Sequence, residues 1–520
     1  MFYLTSQFIV LWMAYFYTLK ELGWINPSPT LYVFMAIACG SFAFMILFIA
    51  NLSQNRLFRI ALVIICSMFL FSNILHYRYF KEPILLGSIY SAKQLPFVMN
   101  YIITLLQQKD FLFLVATLGA IFLFFYGNDQ PNPRKTRLTL LCLALLFIGL
   151  RFIGGILHSY QSEPGSFKSV LHRSVLNSWD RSDAVKIFGF LPHIAYETSR
   201  LATSRKIYVA DPLYTPELSA DKDKVNIFLI QVESLPTEII GKKYSGVEAT
   251  PFLNTLRKES CFFPNINPSH TAGGGTSDAD FAVLTSRVPP GNLPAYYSSG
   301  LNGIQSLPRI LSAEGYTAVV YHANRGGFWG RTKGFKSLGF DQFISKDNFP
   351  SSPVETGILP DDAFFDYAFE HMQTLKEPLF AFFITMSSHG PYDKIHYIPF
   401  KDLKYSEIDN DLELSNYLSE IKYVDRALSV FVEKLTRTYS NYYIVIFGDH
   451  PPLLTSLDLE VNEKIPVFLI SSERHCTTTY EQVGSQLDIP VLILDNLGLK
   501  PPSSWQGKKL FHASRSKSHP

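Results

Sequence analysis

Five apolar runs in the first 158 residues constrain this chain more than any other feature. They cover residues 2–19, 31–50, 60–75, 111–126 and 138–157. A helix needs roughly 20 apolar residues to cross the hydrocarbon core of a bilayer. The first, second and fifth runs approach that length, while the third and fourth are shorter and depend on their flanks. No Lys or Arg precedes the first run and four more follow it, so a cleavable signal peptide does not account for the start. Residues 26–29, Asn55-Arg56 and residues 127–135 carry the Pro, Gly and Asn of connecting loops. The spacing predicts a transmembrane domain of five helices over residues 1–158.

An odd number of spans puts the two ends of that domain on opposite sides. With the N-terminus inside, the inner loops hold Arg56, Arg59, Arg134, Lys135 and Arg137, and the outer loops hold Lys20, Arg78, Lys81, Lys93 and Lys109. The counts tie, but the inner loops are shorter and denser in charge, which leans towards an inside N-terminus. Arg151 lies well inside the fifth run, where it either snorkels to the interface or holds a lipid phosphate. Residues 96–106 read as an interfacial helix or as the start of the fourth span. Residues 159–221 are polar with helical patches at 169–179 and 184–190, and read as a linker.

From residue 222 to 512 the chain alternates short apolar runs with helical ones, which predicts an α/β domain with a largely parallel sheet; residues 513–520 are a tail. A net charge of +2 gives no case for nucleic acid. Cys39, Cys66 and Cys142 lie in apolar runs. Cys261 and Cys476 are far apart and in no paired pattern, so no disulfide is expected.

Four predicted strands end in chemistry. The run 225–232 ends in Glu233-Ser234, and 442–447 ends in Gly448-Asp449-His450. The run 379–386 leads into Ser387-Ser388-His389, and 316–321 into His322, with Trp329 and Arg331 a few residues on. Open α/β sheets bind ligands beyond the carboxyl ends of their strands. A single strand-end acid reads equally well as a helix cap, but four such ends together describe a site. Glu233, Asp449 and His450 are a hard-oxygen and imidazole set suited to Mn²⁺, Zn²⁺ or Mg²⁺. His389 and His322 would be free for proton transfer or phosphate binding, Arg331 offers a fork for phosphate, and Trp329 a face for carbon.

The stretch from His270 to Phe281 contains Gly273-Gly274-Gly275 and then Thr276-Ser277-Asp278. Read alone it is a glycine-rich turn with Thr276 capping a helix. Beside a metal, Thr276 becomes a fourth ligand and a nucleophile.

These residues resemble the sulfatase/alkaline phosphatase superfamily, and within it the lipoteichoic acid synthase group of membrane phosphoglycerol transferases. Val232-Glu233-Ser234-Leu235 resembles the first metal-ligand motif, and Gly275-Thr276-Ser277-Asp278 with Phe281 the nucleophile motif. Phe328-Trp329-Gly330-Arg331, with His322 upstream, is similar to the glycerol-phosphate stretch; Ser388-His389 and Gly448-Asp449-His450 fit the remaining positions. The resemblance implies catalysis by Thr276 and His389, substrate binding by His322, Trp329, Arg331 and His389, and one divalent metal, Mn²⁺ foremost, on Glu233, Thr276, Asp449 and His450. It further implies a multi-pass protein of the cell membrane with an extracytoplasmic catalytic domain. Phosphatidylglycerol would be the donor, and a glycan, glycolipid or growing polymer the acceptor. The family's usual Gly-Gln-Gly-Lys before the threonine is here Ala272-Gly273-Gly274-Gly275, without the lysine. A phosphoethanolamine transferase is the nearest alternative, and scattered cysteines argue against its typical disulfides. The formylglycine motif of a true sulfatase, Cys/Ser-x-Pro-x-Arg, is missing at Thr276. A non-catalytic lipid-binding or assembly factor is the remaining alternative, though no key position is lost.

Overall fold

The computed structural model describes residues 2–21, 29–53, 55–80, 105–126, 134–162, 224–269, 275–290, 294–349, 359–390, 411–452, 463–473 and 476–510, with a few scattered positions between. The expectations for residues 96–106 and 169–190, for the side chain of Arg151, for His270–Gly274 and for the tail 513–520 lie essentially outside that set. The chain divides into two compact units, Met1–Thr203 and Ser204–Pro520.

The first unit is built of helices α1 (Phe2–Glu21), α2 (Pro29–Ala50), α3 (Arg56–Phe80), α4 (Asp110–Tyr126) and α5 (Arg134–Ser162). Five helices form where five apolar runs predict them. Among the described residues one, Arg56–Arg78, is long and apolar enough to cross a membrane; the apolar stretches Ala36–Ala50, Asp110–Tyr126 and Thr136–Leu150 are shorter. The helices bury a shared core that includes Tyr15, Cys39, Phe42, Val63 and Phe113, with Tyr15 stacked on Phe42 at 4.5 Å. Their other faces stay apolar yet exposed, as at Leu57, Ile65, Met68, Phe111 and Leu138. Arg78, counted in the sequence as an outer-loop charge, ends α3 in an ion-pair network. Its guanidinium reaches Asp110 and Glu21 at 2.7 Å each, and Lys109 reaches Glu21 at 2.7 Å. The ends of α1, α3 and α4 are thereby joined.

The second unit holds an eight-stranded sheet: β1 (Asn226–Val232), β2 (Cys261–Asn267), β3 (Thr317–His322), β4 (Gln342–Ser345), β5 (Leu379–Ile384), β6 (Tyr442–Gly448), β7 (Ile465–Ser471) and β8 (Gly484–Ser485). Their spatial order is β8-β2-β7-β6-β1-β5-β3-β4. Only β7 runs against its neighbours; every other described pairing in this sheet is parallel. The helices are α6 (Pro251–Glu259), α7 (Thr276–Thr285), α8 (Leu307–Ala313), α9 (Arg331–Leu338), α10 (Asp361–Met372), α11 (Leu412–Thr438) and α12 (Ile489–Asn496). Strand side chains alternate between faces. Ile227, Leu229, Phe380 and Phe382 pack with residues of α7, α8, α9 and α12. On the opposite face Phe383 meets Phe431 at 5.0 Å and Phe365 stacks on Phe431 at 4.3 Å, bringing in α10 and α11. Cover on both faces is why β1 is buried at every position and reads as an unbroken run.

One expectation is overturned. Cys261 and Cys476 form a disulfide, with Cα atoms 5.1 Å apart. The cause is long-range pairing. Phe262 N–H donates to Thr478 O at 3.0 Å and Tyr480 N–H donates to Phe262 O at 2.8 Å, so residues 476–480 run along the start of β2. A contact across a separation of 215 residues leaves no trace in cysteine spacing. Residues before 222 also join this unit: Arg287 Nη2 donates to both carboxylate oxygens of Asp211 at 2.6 Å.

Candidate active site

The four strands that end in chemistry are consecutive neighbours, β6-β1-β5-β3, at the middle of the sheet. Parallel direction brings their carboxyl ends to one edge. Immediately beyond β1, Glu233 is fixed by its own backbone: its N–H donates to Thr385 Oγ1 at 2.9 Å, and its carbonyl accepts from Ser388 Oγ at 2.5 Å. Ser234 follows with φ of 55°, a conformation that a non-glycine residue holds only when its surroundings enforce it. They do: Ser234 N–H donates to Asp449 Oδ1 at 2.7 Å, and Tyr417 OH donates to Ser234 O at 2.8 Å. At the end of β6, Gly448 lies so close to this turn that a Cβ there would meet Leu235 O at 2.0 Å.

The ligand atoms of Glu233, Asp449 and His450 all lie within 4.8 Å of one another. His450 Nε2 is 3.3 Å from Glu233 Oε1 and 3.4 Å from Asp449 Oδ2. Thr276 opens α7 and turns its hydroxyl into this cluster, donating to Glu233 Oε2 at 2.8 Å and lying 3.4 Å from His450 Nε2. The residue before it, Gly275, has φ of +45°, which a side chain would strain. That one glycine sets the approach of the helix N-terminus, whose partial positive charge favours an anion.

Burial works against the Glu233 carboxylate, but the imidazoles of His389 and His450 and the Thr276 hydroxyl outweigh it and hold the group below the usual carboxylate range. Asp449 is pushed well up by burial and by the negative charge of Glu233. His450 loses from burial and gains more from Asp449 and Glu233, so its imidazole is pushed up to about 10. The cluster therefore favours positive charge at its centre. Asp449 Oδ2 is buried without a hydrogen bond, while Oδ1 accepts two N–H groups, from Ser234 and His450. An orphaned carboxylate oxygen among oxygen and imidazole donors fits a divalent cation.

Of the other predicted residues, His322 and Arg331 form a second, connected group. His322 is buried and held neutral, far below its ordinary range, by burial and by Arg331. Its partners fix the tautomer: Nδ1 lies 3.2 Å from Ile384 O as donor, and Nε2 lies 3.2 Å from Arg331 Nη1 as acceptor. Both ring nitrogens are thus engaged with protein, where the sequence reading had them free. Arg331 is fully buried, its Nε donating to Asp280 Oδ2 at 2.7 Å, and its Nη2 has no partner. Gln231 completes the link, donating to Asp280 Oδ1 at 2.8 Å and to Thr276 O at 3.2 Å. Trp329 precedes Arg331 at φ 58°, half-buried, its ring edge-to-face with Phe328. His389 is half-exposed beyond β5, close enough to act on the charge of Glu233.

Gln231, Asp280, Thr385, Asp361 and Gln486 were not singled out from sequence. Gln231 carried a signal, being a polar residue between the apolar Ile230 and Val232 of a buried strand. Gln486 carried none.

A model of the sulfatase family matches residues 225–499, more than half of the chain. The chain belongs to the sulfatase family. A second model, the lipoteichoic acid synthase N-terminal domain, matches residues 1–208. Lipoteichoic acid synthase 1 of Bacillus subtilis is 27% identical over 434 residues, which is 77% of this chain and 65% of that protein. A lipoteichoic acid synthase-like protein of the same organism is 25% identical over 85% of this chain and 71% of its own length. Among solved structures, a lipoteichoic acid synthase from Listeria monocytogenes superposes with a TM-score of 0.50 at 24% identity, covering 60% of this chain and 81% of that one. An integral membrane lipooligosaccharide phosphoethanolamine transferase from Neisseria meningitidis gives a TM-score of 0.62 at 15% identity, covering 95% and 94%. The fold is thus that of the sulfatase/alkaline phosphatase superfamily, related to lipoteichoic acid synthase-like membrane phosphotransferases, with Glu233, Asp449 and His450 as a candidate metal-binding triad.

Proposed function

We propose that this protein is a membrane phosphoglycerol transferase that moves glycerol phosphate from phosphatidylglycerol to an acceptor hydroxyl on a glycan, lipid or growing polymer. The observation that carries the reading is the Thr276 hydroxyl hydrogen-bonded to Glu233 inside the Glu233-Asp449-His450 cluster. A divalent metal, Mn²⁺ before Mg²⁺ or Zn²⁺, held by these three side chains and Thr276, would lower the threonine's pKa and offset charge on phosphate oxygens.

The chain's own residues supply the rest. In the first half-reaction the bond from Thr276 Oγ1 to phosphorus forms and the phosphorus bond to the diacylglycerol oxygen breaks. The threonine loses a proton and the departing oxygen gains one, and His389 is the group assigned to that transfer. In the second, the acceptor oxygen bonds to phosphorus, the bond from phosphorus to Thr276 Oγ1 breaks, and the proton lost by the acceptor hydroxyl is balanced by the one Thr276 regains. Gln231 donates both to the Thr276 carbonyl and to Asp280, and Asp280 accepts from Arg331 Nε, so nucleophile and guanidinium keep a fixed spacing. The unpartnered Nη2 of Arg331 is the group offered to a phosphate oxygen. Trp329 and His322 complete the headgroup side.

Helices α1 to α5 are read as five spans that anchor the chain in the membrane that holds the donor's lipid tails. The exposed apolar faces of α3, α4 and α5 support this, as does the match of residues 1–208. The disulfide supports an extracytoplasmic catalytic unit, since such bonds persist in oxidising compartments. The domain limits proposed are 1–158 for the spans, 159–221 for the linker and 222–512 for the catalytic unit.

A phosphoethanolamine transferase is the second reading. The disulfide removes the cysteine argument against it, and the fold likeness over 95% of the chain is to such an enzyme. Vesicles containing headgroup-labelled phosphatidylglycerol or phosphatidylethanolamine, incubated with the purified full chain and Mn²⁺ or Zn²⁺, separate the two. Diacylglycerol released from phosphatidylglycerol is the expected result. Release from phosphatidylethanolamine alone would establish the second reading, and release from neither would favour a non-catalytic role.

A further inference from the structure

Gln486 is fully buried and opens the segment just before α12, far in sequence from every residue so far assigned to the site. Its amide makes three bonds, all to elements that carry the chemistry. Nε2 donates to Asp449 O at 2.6 Å and to Gly448 O at 3.3 Å. Oε1 accepts the N–H of Ser269 at 2.7 Å. One side of the amide therefore holds the backbone of the metal-ligand turn after β6. The other holds the end of the segment after β2, a few residues ahead of Thr276. Two carbonyls require a donor and one N–H requires an acceptor, so the amide has a single orientation and no acid or hydrocarbon reproduces it.

Gln486 is itself delivered by a strap. The Cys261–Cys476 disulfide pins its start. Tyr480 bonds to Phe262 through the backbone and stacks on Phe263 at 4.9 Å. Gly484 and Ser485 then pair with Ile266 and Asn267 as β8.

We propose that Gln486 is a positioning residue for the metal site, fixing the Asp449 backbone relative to the strand that leads into the nucleophile turn. This rests on the reading of Glu233, Asp449 and His450 as metal ligands. Gln486 touches no ligand atom; its effect is on where the Asp449 carboxylate sits. Residues holding ligands from behind typically change metal affinity about 10- to 100-fold when replaced.

The test is calorimetric titration of the full chain in detergent with Mn²⁺ and with Zn²⁺, for wild type, Gln486→Glu and Gln486→Met, alongside metal-free melting temperatures. Gln486→Glu keeps the volume and the Ser269 bond but turns an oxygen towards two carbonyls. Added negative charge alone would tighten cation binding, whereas displacement of Asp449 weakens it. The expected result is a dissociation constant raised about ten-fold or more in both variants, in protein that still melts cooperatively although at a lower temperature than wild type. Affinity equal to or tighter than wild type in Gln486→Glu overturns the inference while leaving the metal reading intact. A wild type that binds neither ion removes the metal reading and this inference with it. If both variants are unfolded, Gln486 serves the fold at large and the inference is equally overturned.

Discussion

Thr276 can act as a nucleophile only through charge that it does not carry itself. Its hydroxyl is 2.8 Å from Glu233, so Thr276→Ala should abolish diacylglycerol release, while Thr276→Ser keeps an oxygen there and should retain measurable turnover. Asp280 lends itself to a sharper test. It neutralises a fully buried Arg331 at 2.7 Å, and removing one partner of a buried pair typically costs about 3–5 kcal/mol. Asp280→Ala should therefore lower the melting temperature clearly. The double variant Asp280→Leu/Arg331→Met, which removes both charges, should recover much of that loss yet remain inactive. Equal melting for the single and double variants would show that the pair does not hold the site. Of these residues, sequence alone marked Thr276, His322 and Arg331 but not their connection. Asp280 lies four places along a helix from Thr276 with nothing to distinguish it from a solvent-facing acid. Only the register of β1 puts Gln231 beneath it.

Among the elements, the turn after β5 shows how burial and hydrogen bonding compete. Asp361, at the start of α10, accepts the N–H of Met386 at 2.9 Å and of Ser387 at 3.0 Å, shaping the turn that presents Ser388 and His389. Burial nevertheless pushes this carboxyl up to about 7. Because the folded value lies above the unfolded one, near 4, the stability it contributes is complete below about pH 4 and is lost as pH rises through 7. From pH 5 to pH 8 the stability of the wild type should fall by on the order of 2 kcal/mol, read as a falling melting temperature, and should fall less in Asp361→Asn. Asp425, which accepts the N–H groups of Phe252 and Leu253 and is likewise pushed up to about 7 by burial, keeps a remaining slope. An unchanged slope in Asp361→Asn would contradict this assignment. The strands themselves were legible, because a run such as Asn226–Val232, buried at every position, is dominated by apolar residues when both sheet faces are covered. Their neighbour relations were not, and neither was the strap that carries Cys476 and Gln486, since its pairing with β2 is set by tertiary contact.

For the molecule as a whole, apolar periodicity foretold two units, and the structure bears out five helices before a mostly parallel sheet. Orientation is testable through the disulfide. In intact cells under mild reduction, a membrane-impermeant maleimide should label Cys476. Labelling only after lysis would place the catalytic unit on the inner side. The proposed mechanism turns on a covalent intermediate, since a headgroup held on the protein would let diacylglycerol depart before an acceptor arrives. The decisive measurement is mass spectrometry of peptides from the full chain after brief incubation with phosphatidylglycerol and Mn²⁺, without acceptor. One glycerophosphoryl group on Thr276, missing from Thr276→Ala, is the predicted result. Diacylglycerol release from the wild type with Thr276 unmodified throughout the reaction would contradict a threonine nucleophile.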